Sequence, residues 1–418
     1  MEQRFPIKRI LKKIPWLIML LVLVTVRLLA STEFPMHVYA PYLFAVAFLI
    51  SYLLMPFMIV LGYKMGILDR PDDRRKIHSH ATPLTGGIAI YIGFIVSMLL
   101  GHHYSLEMKH ILIAGSLIFF TGAIDDYKNL SAFVRIVIQC AATVYLIING
   151  VRITFLPIWL GGVVTESIIT IIWVVGITNA MNFIDGMDGL AAGMSAIFSI
   201  FFALISYSTQ QYYFMYLSLA LAGSSLGFLP YNFRRDKPAR IFLGDAGSTF
   251  IGFILAASAI MGEWGTTIVD LSVPVIIMSM LIFDMFLTTI VRIAKGEVTS
   301  FKSWLAYTGR DHVHHRLGMI GLGKRKTVYL YYCIAFGFGL TSLIIVNSTW
   351  IVSLIALLQS GLLLLTLGII LFRTTDKTYI KLINNLIPFN KKRFEYEKNK
   401  NLFKLSQQVK IGSDIRRS

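Results

Sequence analysis

The sequence predicts an all-α protein: a polytopic transmembrane helical bundle of about 11–12 spans with a cytoplasmic-face active site. Three observations predict it. The 418 residues are 56% hydrophobic and only 15% charged, outside the balance of a soluble domain. The apolar residues come in blocks long and uniform enough to cross a bilayer, which takes about 20 residues per helix. Every Lys and Arg except Lys109, Arg152 and Arg27 falls in the N-terminal segment, the tail or alternate loops between those blocks, the side that positive charge marks as cytoplasmic.

In chain order the apolar runs are 16–30, 41–62, 84–101, 109–124, 133–150, 164–181, 190–208, 212–230, 247–262, 268–293, 328–347 and 350–372. The first is short, contains Arg27 and lacks a small-residue cleavage site, so a retained anchor is expected more than a removed signal. Residues 1–15 then form a basic cytoplasmic N-terminus and 16–372 the transmembrane catalytic domain, with cytoplasmic loops at 63–83, 125–135, 182–189, 231–246 and 294–327. If 16–30 does not span, the N-terminus moves outside and every later loop keeps its side. The basic tail 373–418 mixes cations with Ile383, Leu386, Ile387 and Phe389, the composition of a segment lying on anionic lipid.

A net charge of +17 could suggest nucleic acid, but the positive charge sits in loops against a membrane, so anionic lipid and a phosphorylated substrate account for it better. Cys140 and Cys333 both fall inside spans, which implies packing residues and no disulfide framework. No internal repeat is visible.

Polar motifs concentrate in the loops assigned to one side. Asp69, Asp72 and Asp73 precede Arg74, Arg75, Lys76, His78 and His80, and Gly86-Gly87 opens the next span. Cations beside a glycine pair suit a polyanion approached closely by backbone, and a positive-inside signal followed by a turn would look the same. Asp125 and Asp126 stand where a span ends, and Ser131 is the better N-cap for the helix that follows, so local capping does not explain the pair. Adjacent carboxylates repel, and a metal or a proton on one of them would relieve it.

The most polar stretch inside apolar surroundings is TNAMNFIDGMDGLAA, residues 178–192. Asp185 and Asp188, three apart, share a face if helical, with Asn179 and Asn182 before them and Gly186 and Gly189 leaving room for close approach. Carboxylates at a membrane helix are costly and usually functional, and here they call for a cation or a proton.

Gly244-Asp245-Ala246-Gly247-Ser248 opens another span, and a helix start with free N–H groups and small residues binds phosphate. Asp245 would repel a bare phosphate there unless a divalent ion bridges them; a plain N-cap is the alternative. Phe242 could stack on a base, and an interfacial anchor is equally compatible. Asp284 lies about ten residues, or about 15 Å, inside its span, so it should face the bundle interior with a polar partner and serve a structural hydrogen-bonding role. His312, His314, His315 and Arg316 form a dense basic cluster whose spacing is poor for zinc, and contacts to diphosphate oxygens suit it better than a solvated loop.

Carboxylates, a phosphate-type helix start, histidines and cations on one face fit metal-assisted chemistry on phosphates, and membrane embedding implies that one substrate is a lipid. The segment from Lys76 to Gly87, the Asp125-Asp126 pair, NFIDGMDGLA, PARIFLGDAGS and HVHHR, in that order, resemble the polyprenyl-phosphate N-acetylhexosamine-1-phosphate transferases. The resemblance covers most of residues 60–320. The form His312-Val313-His314-His315-Arg316 looks like the WecA/TagO-like branch, which starts O-antigen, enterobacterial common antigen and teichoic acid linkage units; the peptidoglycan translocase fits less well. The loop between Gly296 and His312 is longer than expected for that branch, and the N-terminal span and basic tail are additions, which bears on the sugar more than on the reaction.

The resemblance implies attack of an undecaprenyl phosphate oxygen on the β-phosphate of a UDP-N-acetylhexosamine, with UMP released and a lipid-linked cell-envelope glycan begun. UDP-GlcNAc is the first expectation, with UDP-GalNAc or UDP-MurNAc-pentapeptide as alternatives. It also implies Mg²⁺, with Mn²⁺ as a substitute, in a bacterial cytoplasmic membrane, and is compatible with a homodimer. Asp245 resembles the metal ligand. Asp125, Asp126 and Asp185, with His312, His314 and His315, form the catalytic set by resemblance, the Asp125-Asp126 pair handling the lipid phosphate. Asp188, Phe242 and Lys76 resemble the uridine-holding positions, with Asn182, Asn232 and Arg316 completing the substrate-binding set. A secondary transporter would place such groups near the bilayer midplane with repeat symmetry, and a scaffold would not need five polar clusters on one face.

Overall fold

A computed structural model describes residues 13–29, 36–70, 81–101, 104–154, 162–235, 237–262, 267–300, 309, 311–319, 322–346 and 348–375. Residues 1–365 form one compact unit; of the second, 366–418, the described part is the end of the last helix.

Apolar runs too long for strands, in lipid, leave the backbone one local way to satisfy its N–H and C=O groups, and the described residues are helical almost throughout. The first helices are α1 (Ile14–Leu29), α2 (Met36–Met65), α3 (Gly86–Gly101), α4 (Leu106–Lys128) and α5 (Ala132–Ile148). They are followed by α6 (Gly162–Ile184), α7 (Leu190–Ser208), α8 (Tyr212–Asn232) and α9 (Gly244–Met261). The last are α10 (Thr267–Ile277), α11 (Ser279–Ala294), α12 (Val313–Met319), α13 (Lys324–Ile345) and α14 (Trp350–Thr375). Between α2 and α3 a two-residue antiparallel ladder pairs Leu68 with Pro83 and Asp69 with Thr82.

Eight described helices are long and apolar enough to cross a membrane, while α1, α3 and α5 are apolar but shorter. Each of the twelve apolar runs contains a helix, with one difference. The run 268–293 is two helices broken at Met278, where the N–H of Leu281 bonds the Met278 carbonyl in a tightened turn. The ends of α4 and α5 follow their local chemistry. Ser105 and Ser131 accept from the N–H groups of Met108 and Val134, and Asn129 closes α4 in the left-handed region at φ 54°.

The core is α7, α8 and α9, whose apolar windows are 78%, 72% and 83% buried, against 28% for α14. Large side chains stand exposed on the outer helices, among them Ile148, Ile344, Leu358 and Leu362, an apolar surface that suits lipid and not water.

Candidate active site

The start of α9 organises one end of the bundle. Gly122 on α4 lets the two helices touch, since a Cβ there would fall 2.6 Å from the Ala246 Cα. That approach sets Asp126 beneath the first turn of α9, where its two oxygens accept from the N–H groups of Asp245 at 2.8 Å and Ala246 at 3.0 Å. The helix start expected to receive phosphate is therefore already occupied by a carboxylate of the chain itself. Asp245 is not the N-cap either; Leu243 holds that position without a side-chain bond.

The paired carboxylates part company here. Asp125, buried, accepts from the Leu130 N–H at 2.5 Å and from Arg135 Nη1 at 2.7 Å. Asp125 is thus met by a guanidinium and Asp126 by two backbone N–H groups. Arg135, which the sequence did not single out, also reaches Asp245 Oδ2 at 3.3 Å. On the other side, Asn182 Nδ2 donates to Asp245 Oδ1 at 2.6 Å and to Ser248 Oγ at 2.9 Å. A small recess beside this group is lined by Asp125, Arg135, Gln139 and Thr249 together with Ile118, Thr121 and Gly122.

The turn between α6 and α7 brings Asp185 and Asp188 to the same place. Asp185 is partly exposed, and its carboxylate has no hydrogen-bond or ion-pair partner among the described residues. Withdrawal from solvent, and then the charges of Asp245, Asp126 and Asp188, push its pKa well above the usual carboxylate range. Asn232 pins the turn from behind. Its Oδ1 accepts from the Gly189 N–H at 2.5 Å and its Nδ2 donates to the Ile241 carbonyl at 3.0 Å.

The histidine cluster is a short buried helix and not a solvated loop. Asp284 on α11 is 1% exposed, and its Oδ1 accepts from the Val313 N–H at 2.6 Å at the first turn of α12. The polar partner expected for Asp284 is thus α12 itself. His312 lies between Asp284 and Arg292, and Arg292 makes a two-pronged pair with Asp311 at 2.8 and 2.7 Å. Burial works against the Asp311 charge, but the Arg292 hydrogen bonds outweigh it and hold its pKa below the usual value. His314 is fully buried, which lowers its pKa to about 3 against the pull of Asp284. It sits against the Asp185 turn, its Nε2 2.7 Å from where a Gly186 Cβ would stand, with the His315 ring 4.2 Å away.

Of the expected site residues, Asp125, Asp126, Asn182, Asp185, Asp188, Asp245, His314 and His315 gather at this end. Arg316 is buried and donates through Nε to the Asp311 carbonyl at 2.7 Å, so α12 draws it inward. Phe242 is partly exposed, its backbone tied to Pro83 and Gly86 at 2.8 and 3.0 Å. Lys76 lies outside the described residues. Besides Arg135, the sequence reading passed over Arg292. Its place inside an apolar run was the available signal, the same one that marked Asp284.

A membrane helix bundle with an acidic, phosphate-type centre defines a class, and the comparisons with known proteins agree with it. Residues 108–263 match the model of glycosyl transferase family 4. A probable undecaprenyl-phosphate N-acetylglucosaminyl 1-phosphate transferase of Bacillus subtilis is 34% identical over 318 residues, 73% of this chain and 85% of the relative. A decaprenyl-phosphate N-acetylglucosaminephosphotransferase of Mycobacterium leprae is 32% identical over 356 residues, 76% of this chain and 87% of the relative. A phospho-N-acetylmuramoyl-pentapeptide-transferase of Lactiplantibacillus plantarum is 29% identical over 311 residues, 69% of this chain and 92% of the relative. The chain belongs to glycosyl transferase family 4, in its polyprenyl-phosphate N-acetylhexosamine-1-phosphate transferase group, and is a multi-pass membrane enzyme.

Proposed function

We propose that the enzyme moves N-acetylglucosamine 1-phosphate from UDP-N-acetylglucosamine to undecaprenyl phosphate at the cytoplasmic face of a bacterial membrane, releasing UMP and starting a lipid-linked cell-envelope glycan. The observation that carries this is the crowding of Asp126, Asp185, Asp188 and Asp245, with Asp185 lacking a counter-charge among the described residues. Such a centre suits a diphosphate that arrives with a divalent cation. The sugar rests on the names of the Bacillus and Mycobacterium relatives.

Mg²⁺ fits the donor set. Asp185, whose carboxylate has no partner among the described residues, and Asp245 offer the hard oxygens that Mg²⁺ takes, with substrate phosphates and water to complete its shell; Mn²⁺ would substitute. Bound there, the ion would neutralise charge on the diphosphate. Asn182 and Arg135 hold Asp245 in place for it.

In the transfer, a lipid phosphate oxygen forms a bond to the β-phosphorus as the bond to the UMP oxygen breaks. A phosphate monoester with a second pKa of about 6 is already ionised at neutral pH, so a general base has little to do. Asp125, with its oxygens on Leu130 and Arg135, orients Arg135 beside Asp245. Asn232 holds the Asp185–Asp188 turn, and Asp188, Phe242 and Lys76 take the uridine.

The test is transfer of label from UDP-[³H]GlcNAc into organic-extractable lipid by purified protein with undecaprenyl phosphate. The expected label requires Mg²⁺, is reversed by excess UMP and is lost in Asp245→Ala. Transfer only from UDP-GalNAc or UDP-MurNAc-pentapeptide keeps the reaction and changes the sugar. Failure with every UDP-sugar, in folded protein, contradicts the proposal.

A further inference from the structure

The two ring nitrogens of His312 face unlike partners. Nδ1 lies 3.2 Å from Asp284 Oδ2, and Nε2 lies 3.3 Å from Arg292 Nη2. A carboxylate offers only lone pairs and a guanidinium only N–H groups, so one tautomer of a neutral ring satisfies both. In it the proton is on Nδ1 and the lone pair on Nε2. Arg292 cannot exchange roles, because its Nε and Nη2 are fixed on Asp311.

The same Asp284 oxygen lies 3.9 Å from His314 Nδ1, too far for a hydrogen bond but close enough to attract the ring proton to that side. His314 is fully buried, and neither of its nitrogens has a hydrogen-bond partner among the described residues. An unpaired buried imidazole is costly and calls for an explanation. Its Nε2 abuts Gly186, in the turn that carries Asp185 and Asp188.

We propose that Asp284 is a positioning residue for the transfer reaction: it sets the tautomers of His312 and His314 so that an unprotonated His314 Nε2 faces the Asp185–Asp188 turn. That nitrogen accepts an N–H or O–H bond that forms when the sugar nucleotide binds. The kinetic consequence rests on the transferase reading; the tautomers do not.

Two measurements test it. In ¹⁵N spectra of histidine-labelled protein, with His312→Asn and His314→Asn spectra assigning the signals, both rings carry the proton on Nδ1, and Asp284→Asn changes the His312 pattern. An Nε2–H tautomer at either ring overturns the proposal, whatever reaction the protein catalyses. In turnover, Asp284→Asn lowers kcat/KM for the sugar nucleotide about 10–100-fold, the cost of one mis-set buried hydrogen bond. In a His314→Asn background the same change costs less than about 3-fold, because the two act as a unit. His312→Asn, whose amide nitrogen can donate to Asp284 where Nδ1 did, keeps more activity than His312→Gln, whose amide oxygen can accept from Arg292 where Nε2 did but which leaves Asp284 Oδ2 without its donor. Additive losses, or equal activity of the two His312 variants, in protein with an unchanged thermal midpoint, overturn it.

Discussion

Two polar networks meet at one end of this bundle and treat their carboxylates in opposite ways. Between α11 and α12, Asp284 is met by the Val313 N–H and His312, and Asp311 by both prongs of Arg292. Around the start of α9, Arg135 spans Asp125 and Asp245, while Asp185 has no partner among the described residues. A carboxylate with its donors in place costs little and rigidifies what it holds. One left without them destabilises the empty protein and is stabilised when a ligand brings the missing charge. The difference separates the support from the place where chemistry happens.

The largest expected effect falls on the crowded network. Asp245→Asn should lower kcat by about 10²–10³-fold, the scale for removing one preorganised charge from a phosphoryl-transfer centre. Chelation of divalent ions should abolish turnover, with Mg²⁺ restoring it and Mn²⁺ restoring part. A loss under tenfold, or turnover insensitive to chelation, would move the centre elsewhere.

Next comes Arg135, the cation that reaches both Asp125 and Asp245. Arg135→Gln leaves Asp125 buried with the Leu130 N–H but without its cation and should cost about 3 kcal/mol of stability by denaturant titration, with Arg135→Lys recovering part of it. Asp125→Asn should lower activity by the same factor at pH 6 and at pH 8.5, because its oxygens hold Arg135 and Leu130. A loss that shrinks at pH 8.5 would make Asp125 a general base for the lipid phosphate.

A smaller effect is expected in the paired network. His314 has its folded pKa lowered to about 3, so below its ordinary value of about 6.5 the unfolded chain takes a proton that the folded chain refuses. Its stabilising contribution is complete above that value and is lost as the pH falls. Between pH 7 and pH 5 the wild type should lose about 2 kcal/mol more than His314→Asn. Equal losses would mean that His314 is protonated in the folded protein.

The helices were legible because lipid leaves apolar runs no other structure, and Ser105 and Ser131 mark their helix starts by local chemistry. The break at Met278 was not, since apolar residues continue through it. At the site, Asp185, Asp188 and Asp245 stood out as charges among apolar neighbours. Their partners did not. Asp126 caps a helix that begins 118 residues later, a tertiary capping that no local pattern records. Arg135 lies at the start of an apolar run, where sequence alone reads a cation as marking membrane orientation, and Arg292, one residue from the end of its run, was counted the same way although it also lies within the run. Arg316 was expected at a diphosphate because its burial against Asp311 depends on α12 folding inward.

The contrast between the networks is tested most directly by the thermal midpoint of Asp185→Asn in chelator, alongside Asp284→Asn. Removing a carboxyl whose ionised form the metal-free protein disfavours should raise its midpoint by about 1–3 °C while abolishing transfer, and added Mg²⁺ should then raise it less than in the wild type. Asp284→Asn should lower the midpoint or leave it unchanged. A lower midpoint for Asp185→Asn would show that Asp185 is already compensated in the empty protein, and would contradict the account.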